Sequence, residues 1–514
     1  MSLPDRGQPM SKMDRGSITE TSTASMLRQL LRYVPGSLLP AAVSVVSAAI
    51  FTRTFQANEY GQYVLVTSVT SLLAVVLSQW LQQSTNRFLP QAMQEGNAGQ
   101  VKGVIVRSLL LLAMAIIVGT FVLWLVLRWY NWDTNLLISG AAILLVTCLA
   151  GTILAALQAQ MLAKQYSLFR VLESVLRLAI TLVLVFFIAR SPLSLLWGHA
   201  LSTGIMLVPL WFAAELTLRP SGSAFRPTAK ERDVLKTFLA YGVPFTGWFF
   251  AANLLDVGDR YVLQWLRSSA EVGIYAANYT LISGAVGVLV SPVHLAAYPS
   301  MMHAWAKGDR KQVARAIGTI VEVLLVGGIL QVGFIYIYSL DLARVLLGPE
   351  FREGHIIMPV VLAGFVAWQV GMYTHKPLEL HNKTGLMMIV GLAAAGVNVL
   401  LNLIAVPRYG YIGAAYTTLF SYFFYAVVIG AIGWKYVPWK LPTKALILSS
   451  ILVIVATVTA VSVRDLLSTR GWLSGAVVAG VVYLAIAGSG VLWLERGKIR
   501  LVGRVFHDSL SGIM

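Results

Sequence analysis

Nine ionisable side chains sit inside, or at the edges of, long uncharged stretches of this sequence: Arg53, Arg87, Arg177, Arg260 and Lys376, with Glu173, Asp256, Asp259 and Glu322. A charge placed in hydrocarbon is costly, so such groups turn toward water or a partner. The cations have the chemistry to hold a phosphate-bearing anion, because buried phosphates need countercharge. The carboxylates have the chemistry to carry a proton or bind a small cation. Glu173 and Arg177 are four apart and share a helix face. Either Arg177 binds an anion while Glu173 tunes it or carries a coupling proton, or the two merely neutralise each other. Asp256 and Asp259 lie beside Arg260, as a cation or proton site or as a cluster that neutralises the arginine. Glu322 stands among Ile, Val and Leu. Arg87 and Lys376 read either as a landing point for an anion or as ordinary interfacial anchors. No HxxH, HExxH or Cys/His cluster points to a metal, and the one cysteine, Cys148, lies in an apolar block, where it reads as a small core residue. No cofactor is expected beyond a coupling proton or sodium ion.

The elements that carry these groups follow from composition. The 514 residues are 57% hydrophobic and 12% charged, about half the charge needed to cover a water-facing surface. The apolar residues come in blocks long enough to cross a bilayer. Fourteen spans are predicted, at 34–52, 61–83, 104–127, 135–158, 168–189, 193–214, 238–257, 272–299, 312–338, 355–376, 384–405, 411–433, 443–463 and 472–494. Residues 1–33 are polar and mixed in charge, with no pattern of a cleaved signal peptide, and read as a cytoplasmic segment; 495–514 reads as a cytoplasmic tail. The longest internal connection, 215–237, is basic, holds Pro220, Gly222 and Pro227, and reads as a cytoplasmic linker between six spans and eight. With the N-terminus inside, the tails, the inward loops and the inner ends of the spans beside them collect about 28 of the 39 Lys and Arg residues, the outward loops about 10, and Arg177 sits within a span. That bias predicts both ends on the cytoplasmic side. The net charge of +17 then reports topology and contact with anionic lipid, not nucleic acid.

The chain also repeats itself. Tyr33-Val34-Pro35 opens span 1 and Tyr241-Gly242-Val243-Pro244 opens span 7; Arg53 and Arg260 leave these spans; then come Glu59-Tyr60-Gly61-Gln62-Tyr63 and Glu271-Val272-Gly273-Ile274-Tyr275. Six spans separate the copies, so both run in one direction, and the repeat axis lies along the membrane normal. Parallel repeats of this kind build alternating-access transporters. The expected fold is an all-α membrane protein: an N-lobe at 34–214, a C-lobe at 238–433, related by a pseudo-twofold, and two further helices at 434–494. In this arrangement Arg53 and Arg260 either face each other across the cleft or snorkel to the outer interface.

VPGSLLPAAVSVVSAAIFTRTFQANEYGQY (34–63), WLQQSTNRFLP (80–90) and NVLLNLIAVPRYGYIGAAYTTLFSY (398–422) resemble three stretches of bacterial Wzx-type flippases for O-antigen and exopolysaccharide. These belong to the multidrug/oligosaccharidyl-lipid/polysaccharide exporter superfamily. The resemblance implies two six-helix lobes around a central cavity, and as cargo an oligosaccharide on a polyprenyl pyrophosphate, moved from the inner to the outer leaflet of the bacterial plasma membrane. Arg53, Arg87, Arg177, Arg260 and Lys376 become candidates for holding the pyrophosphate, and Glu173, Asp256, Asp259 and Glu322 for ion coupling. Membrane lipids and polysaccharide polymerase or glycosyltransferases are the expected partners. No P-loop, nucleotide fingerprint or GxSxG supports an enzyme. A lipid II flippase and a multidrug and toxin extrusion antiporter remain alternatives; span 1 has no acidic residue of the kind the antiporters carry, and EYGQY favours the polysaccharide branch.

Overall fold

The computed structural model describes residues 34–130, 134–216, 229–467 and 472–494, and among these it is helical throughout, without strands. In chain order the helices are α1 (Pro35–Thr54), α2 (Ala57–Gln94), α3 (Ala98–Trp129), α4 (Asn135–Ala159), α5 (Ala163–Val183), α6 (Pro192–Ala213), α7 (Ala229–Leu266), α8 (Ser269–Ala306), α9 (Arg310–Leu346), α10 (Met358–Thr374), α11 (Thr384–Trp434), α12 (Thr443–Leu467) and α13 (Trp472–Tyr483). A 3₁₀ segment, Pro349–Ile357, joins α9 to α10, and wide π turns extend α5 and α13. Twelve helical stretches are long and apolar enough to cross a membrane. In hydrocarbon only a structure that satisfies its backbone internally is tolerated, which helices of this length do. The chain is therefore a multi-pass membrane protein.

The count of twelve treats α11 as one stretch and leaves out the 38-residue α8. α11 covers 51 residues and both of the predicted segments 384–405 and 411–433, and its backbone breaks once, at Gly410 (φ 55°, ψ −139°). This left-handed conformation suits glycine. The second half of α11 starts there, and the Glu271 carboxylate accepts the backbone N–H of Tyr411 at 3.0 Å.

Several helices outrun their apolar centres. α2 has 38 residues, about 57 Å at 1.5 Å per residue, and includes Pro90, which reads from sequence as its end. α7 is described from Ala229, so the last part of the expected 215–237 linker is helical, while 217–228 lie outside the described residues. Glu231 in that first turn is buried and paired with Arg107 of α3 at 2.7 Å, which ties the turn to the bundle.

Helices α1–α6 pack largely on one another, as do α7–α11, and the two groups meet chiefly where α2 touches α7 and α8 and where α1 touches α8, with smaller contacts of α3 on α7 and of α1 on α9. The α2–α7 seam is antiparallel. Arg260 reaches Ser68 at 2.9 Å, Ser71 reaches Asn253 at 3.5 Å, and Ser84 donates to the Phe238 carbonyl at 2.8 Å. Small residues let the backbones approach. The same device crosses α2 with α8: a Cβ on Gly61 would strike the Ser269 carbonyl, and one on Gly273 the Ala57 carbonyl. α12 and α13 dock on α9, where Arg464 meets Asp341 at 2.8 Å and the Tyr483 hydroxyl donates to the Leu330 carbonyl at 2.6 Å.

Gly61→Val should lower thermal stability in detergent, at a cost of about 1–3 kcal/mol from overpacking, whereas Gly119→Ala on α3, where nothing lies within 4 Å of the added Cβ, should leave it unchanged or raised. Equal melting temperatures for the two variants would contradict the close α2–α8 crossing.

Candidate functional site

A cavity of about 290 Å³ opens between the two groups of helices. α1, α2 and α5 line one side, and Arg260 of α7 with Ala276 and Thr280 of α8 lines the other. Its wall carries hydroxyls of Ser44, Ser47, Thr67, Ser174, Thr181 and Thr280, and aromatic rings of Phe51, Tyr60 and Tyr63. Three arginines, Arg170, Arg177 and Arg260, line it with a single carboxylate, Glu173.

α5 supplies most of the charge. Its spacing of three and four puts Arg170, Glu173 and Arg177 on one face. Glu173 hydrogen-bonds Arg177, lies 3.5 Å from Arg170, and accepts from Thr203 of α6 at 3.0 Å. The carboxylate therefore holds two guanidinium groups in place without neutralising both. Arg177 keeps its Nε buried without a hydrogen-bond partner, and so does Arg260. Arg260 donates to Ser68 at 2.9 Å and stands 5.5 Å over the Tyr279 ring. Planar guanidinium groups gathered around one cavity have the chemistry to hold an anion with several oxygens.

Behind Arg260 lies a buried polar chain. Asp259 is fully buried and accepts hydrogen bonds from the hydroxyls of Tyr275 and, at 3.1 Å, Thr418. Asn398 donates to Thr418 at 3.3 Å, Asn402 to Asn398 at 3.1 Å, and Thr417 to Asn402 at 2.8 Å. The second oxygen of Asp259 has no hydrogen-bond partner. Asp256, one turn back, accepts from Tyr279 at 2.7 Å. A buried carboxylate with a free oxygen beside amide and hydroxyl oxygens can take up a proton or a small cation.

Arg177, Arg260 and Glu173 thus meet in one place, with Asp256 and Asp259 just behind. The other sequence candidates stand elsewhere. Arg53 does not face Arg260: it is exposed and donates to the carbonyls of Ala49, Val345 and Leu346, closing the ends of α1 and α9. Around it the Gly348 N–H donates to the Thr52 hydroxyl at 3.1 Å, and Glu350 accepts the Ala57 N–H at 2.8 Å, so the α1–α2 turn is tied to the segment after α9. Arg87 is exposed near the end of α2, 6.0 Å from the Tyr241 ring. Lys376 pairs with Glu379 at 2.5 Å. Its neighbour His375 is buried, with Nδ1 3.0 Å from the Tyr425 hydroxyl, as a satisfied core histidine. Glu322, on α9, does not line the cavity. His294 lies where side chains are outside the described residues.

Arg170 and the Asn398–Thr418 chain escaped sequence reading. Arg170 sits near a predicted span end, where a basic residue reads as an anchor, though its spacing from Glu173 was a usable signal. Asn398 and Thr418 are uncharged, and only the fold brings them to Asp259.

A double-mutant cycle of Glu173→Ala and Arg177→Ala in thermal unfolding should give a coupling of about 1 kcal/mol or more, within the usual range for residues of one network. Additive effects would show that the pair contributes nothing.

A family model described as polysaccharide biosynthesis protein matches residues 28–305, more than half of the chain. A curated relative, the probable low-salt glycan biosynthesis flippase Agl15 of Haloferax volcanii, is 20% identical over 227 residues, 44% of this chain. That match spans 46% of the relative, less than half its length. Among solved structures, the lipid II flippase MurJ in an inward closed conformation superposes with a TM-score of 0.71 at 13% identity, covering 90% of this chain and 98% of that one. An inward-facing multidrug resistance MATE family transporter of the MOP superfamily gives 0.63 at 13% identity, covering 79% and 97%. At that identity the likenesses speak for the fold. The chain belongs to the polysaccharide biosynthesis protein family and has the helical fold of MOP superfamily transporters.

Proposed function

We propose that this protein is a flippase that moves a polyprenyl-pyrophosphate-linked oligosaccharide from the inner to the outer leaflet of the bacterial plasma membrane, by ion-coupled alternating access, for cell-surface polysaccharide synthesis. The observation that carries this reading is the cavity in which Arg170, Arg177 and Arg260 outnumber Glu173, with guanidinium nitrogens still unpaired. Two linked phosphates offer the oxygens such a cluster can bind. Membership in a polysaccharide biosynthesis family supplies the sugar.

In this reading the chain crosses the membrane fourteen times, because α11 counts twice across Gly410 and α8 counts once. α1–α6 and the six spans from α7 to the end of α11 are the two lobes, α12 and α13 stand apart, and both ends are cytoplasmic. The ties of Arg53, Thr52 and Ala57 to the end of α9 and to Glu350, with the Gly61–Gly273 crossing, then seal the outer end. Pyrophosphate arrives from the inner leaflet past Arg87 and Lys376 and docks on the three arginines, while the polyprenyl tail stays in lipid. At about 290 Å³ the cavity is at the small end of ligand pockets. It takes the charged head, and the glycan fills space that opens as the lobes part. A proton or sodium ion on Asp259 and its neighbours biases the two states by differential affinity. Polysaccharide polymerase or glycosyltransferases supply and consume the cargo.

Arg177→Ala and Arg260→Ala should each cut surface polysaccharide by on the order of tenfold or more, the worth of one charge-assisted contact, with lipid-linked intermediate accumulating inside. Unchanged polysaccharide at normal protein level would sink the assignment. Asp259→Asn should impair transport while leaving binding of the lipid-linked cargo intact. The second reading, a lipid II flippase, draws on the fold match of 0.71 to MurJ. Complementation of strains lacking one or the other flippase separates them, and rescue of only the lipid II strain overturns the cargo proposed here.

A further inference from the structure

A second cavity, larger than the charged one, is apolar. α12 packs on α9 and α13, and beside it an apolar groove of about 1040 Å³ is walled by α9, α10 and the second half of α11. Phe423, Val427, Ile454 and Val458 line it and remain exposed to the surrounding medium. Hydroxyls on its wall come only from Thr374, Ser450, Thr457 and Tyr336. A cavity of this kind is not a place for water, which needs two to four polar partners. It is a place for hydrocarbon. Along α12 the lining runs from Leu446 to Val458, about 18 Å of helix. That is a little over half of a hydrocarbon core of about 30 Å, the depth of one leaflet.

One end of the groove is basic. Trp434, Trp439 and Leu441 line it there, and the Trp434 indole N–H donates to the Trp439 carbonyl at 3.0 Å, which fixes the connection between α11 and α12. Lys435, Lys440 and Lys444 are exposed alongside, and no acidic residue occurs from 434 to 446. Paired tryptophans and lysines at a helix end mark the interface between hydrocarbon and headgroups. A backbone contact holds this end in place, because Gly318 of α9 lies against the backbone of Lys440.

We infer that this groove is a binding site for an anionic phospholipid, with one acyl chain lying between α12 and the α10–α11 wall and the phosphate held by Lys435, Lys440 and Lys444. The inference rests on the proposed orientation, which places this end at the cytoplasmic leaflet, where anionic lipid is attracted by juxtamembrane lysines. The leaflet-deep length matches the acyl chain of a phospholipid. The bound lipid completes the packing of α12 on the bundle, which the protein's own side chains leave open.

The test measures bound lipid on purified protein, so its outcome is independent of whether transport occurs. Protein in phosphatidylcholine nanodiscs doped with either phosphatidylglycerol or phosphatidylethanolamine is extracted and its retained lipid read by native mass spectrometry. The wild type should retain phosphatidylglycerol over phosphatidylethanolamine by on the order of tenfold. The combined Lys435→Gln, Lys440→Gln and Lys444→Gln variant should lose that preference, the matching arginine variant should keep it, and Ala431→Trp, which fills the groove, should lose the bound lipid itself. Equal retention of the two lipids by the wild type, or undiminished preference in the glutamine variant or in Ala431→Trp, overturns the site. Protein purified from cells that retains a polyprenyl phosphate lipid there instead would overturn the choice of occupant. If the glutamine variant does not remain monodisperse, the arginine variant and Ala431→Trp decide.

Discussion

The antiparallel seam between α2 and α7 is the contact on which the arrangement turns. Lipid offers helices no hydrophobic reason to associate, so they hold together by close packing and by hydrogen bonds between polar groups. Along this seam Gly242 lies against the Trp80 carbonyl, Ser84 reaches the Phe238 carbonyl, and Ser68 receives Arg260. Each contact joins one group of helices to the other. The last of them fixes an arginine at the edge of the cavity, so the same row of contacts that assembles the bundle also positions the charge.

Burying that charge sets the next constraint. Arg260 is shared between Ser68 and the Tyr279 ring, and Glu173 is shared among Arg170, Arg177 and Thr203. A buried ion pair is seldom the cheapest way to fill space, since well-packed apolar residues do as well or better. Three guanidinium groups to one carboxylate in the cavity wall are therefore not explained by packing alone. The ties at the α1–α2 turn are of another kind: Arg53 and Glu350 use charge to satisfy backbone groups at helix ends, where orphan carbonyls and N–H groups need partners.

Helix number and polarity meet the fold through Gly410. The residue permits a sharp reversal inside one continuous helical stretch, and Glu271 caps the half that follows. Its repeat counterpart, Glu59, caps α2 by accepting the Gln56 N–H at 3.0 Å. Matched residues thus keep one task, capping a helix start, although one acts within its own turn and the other across to a distant helix.

The amino-acid sequence by itself determined that the chain is helical and crosses a membrane repeatedly, because uncharged blocks of that length have no other stable form in lipid. It also determined that Glu173 and Arg177 share a face, because helix periodicity is local. It could not decide that Arg53 leaves its repeat partner for the end of α9, since an exposed arginine takes whichever carbonyls the fold brings near. Nor could it bring Asn398 and Thr418 to Asp259, or Arg170 into the cavity wall. Those depend on which helices become neighbours, and in this molecule neighbours are chosen by glycines and serines whose closest contacts lie far away along the chain.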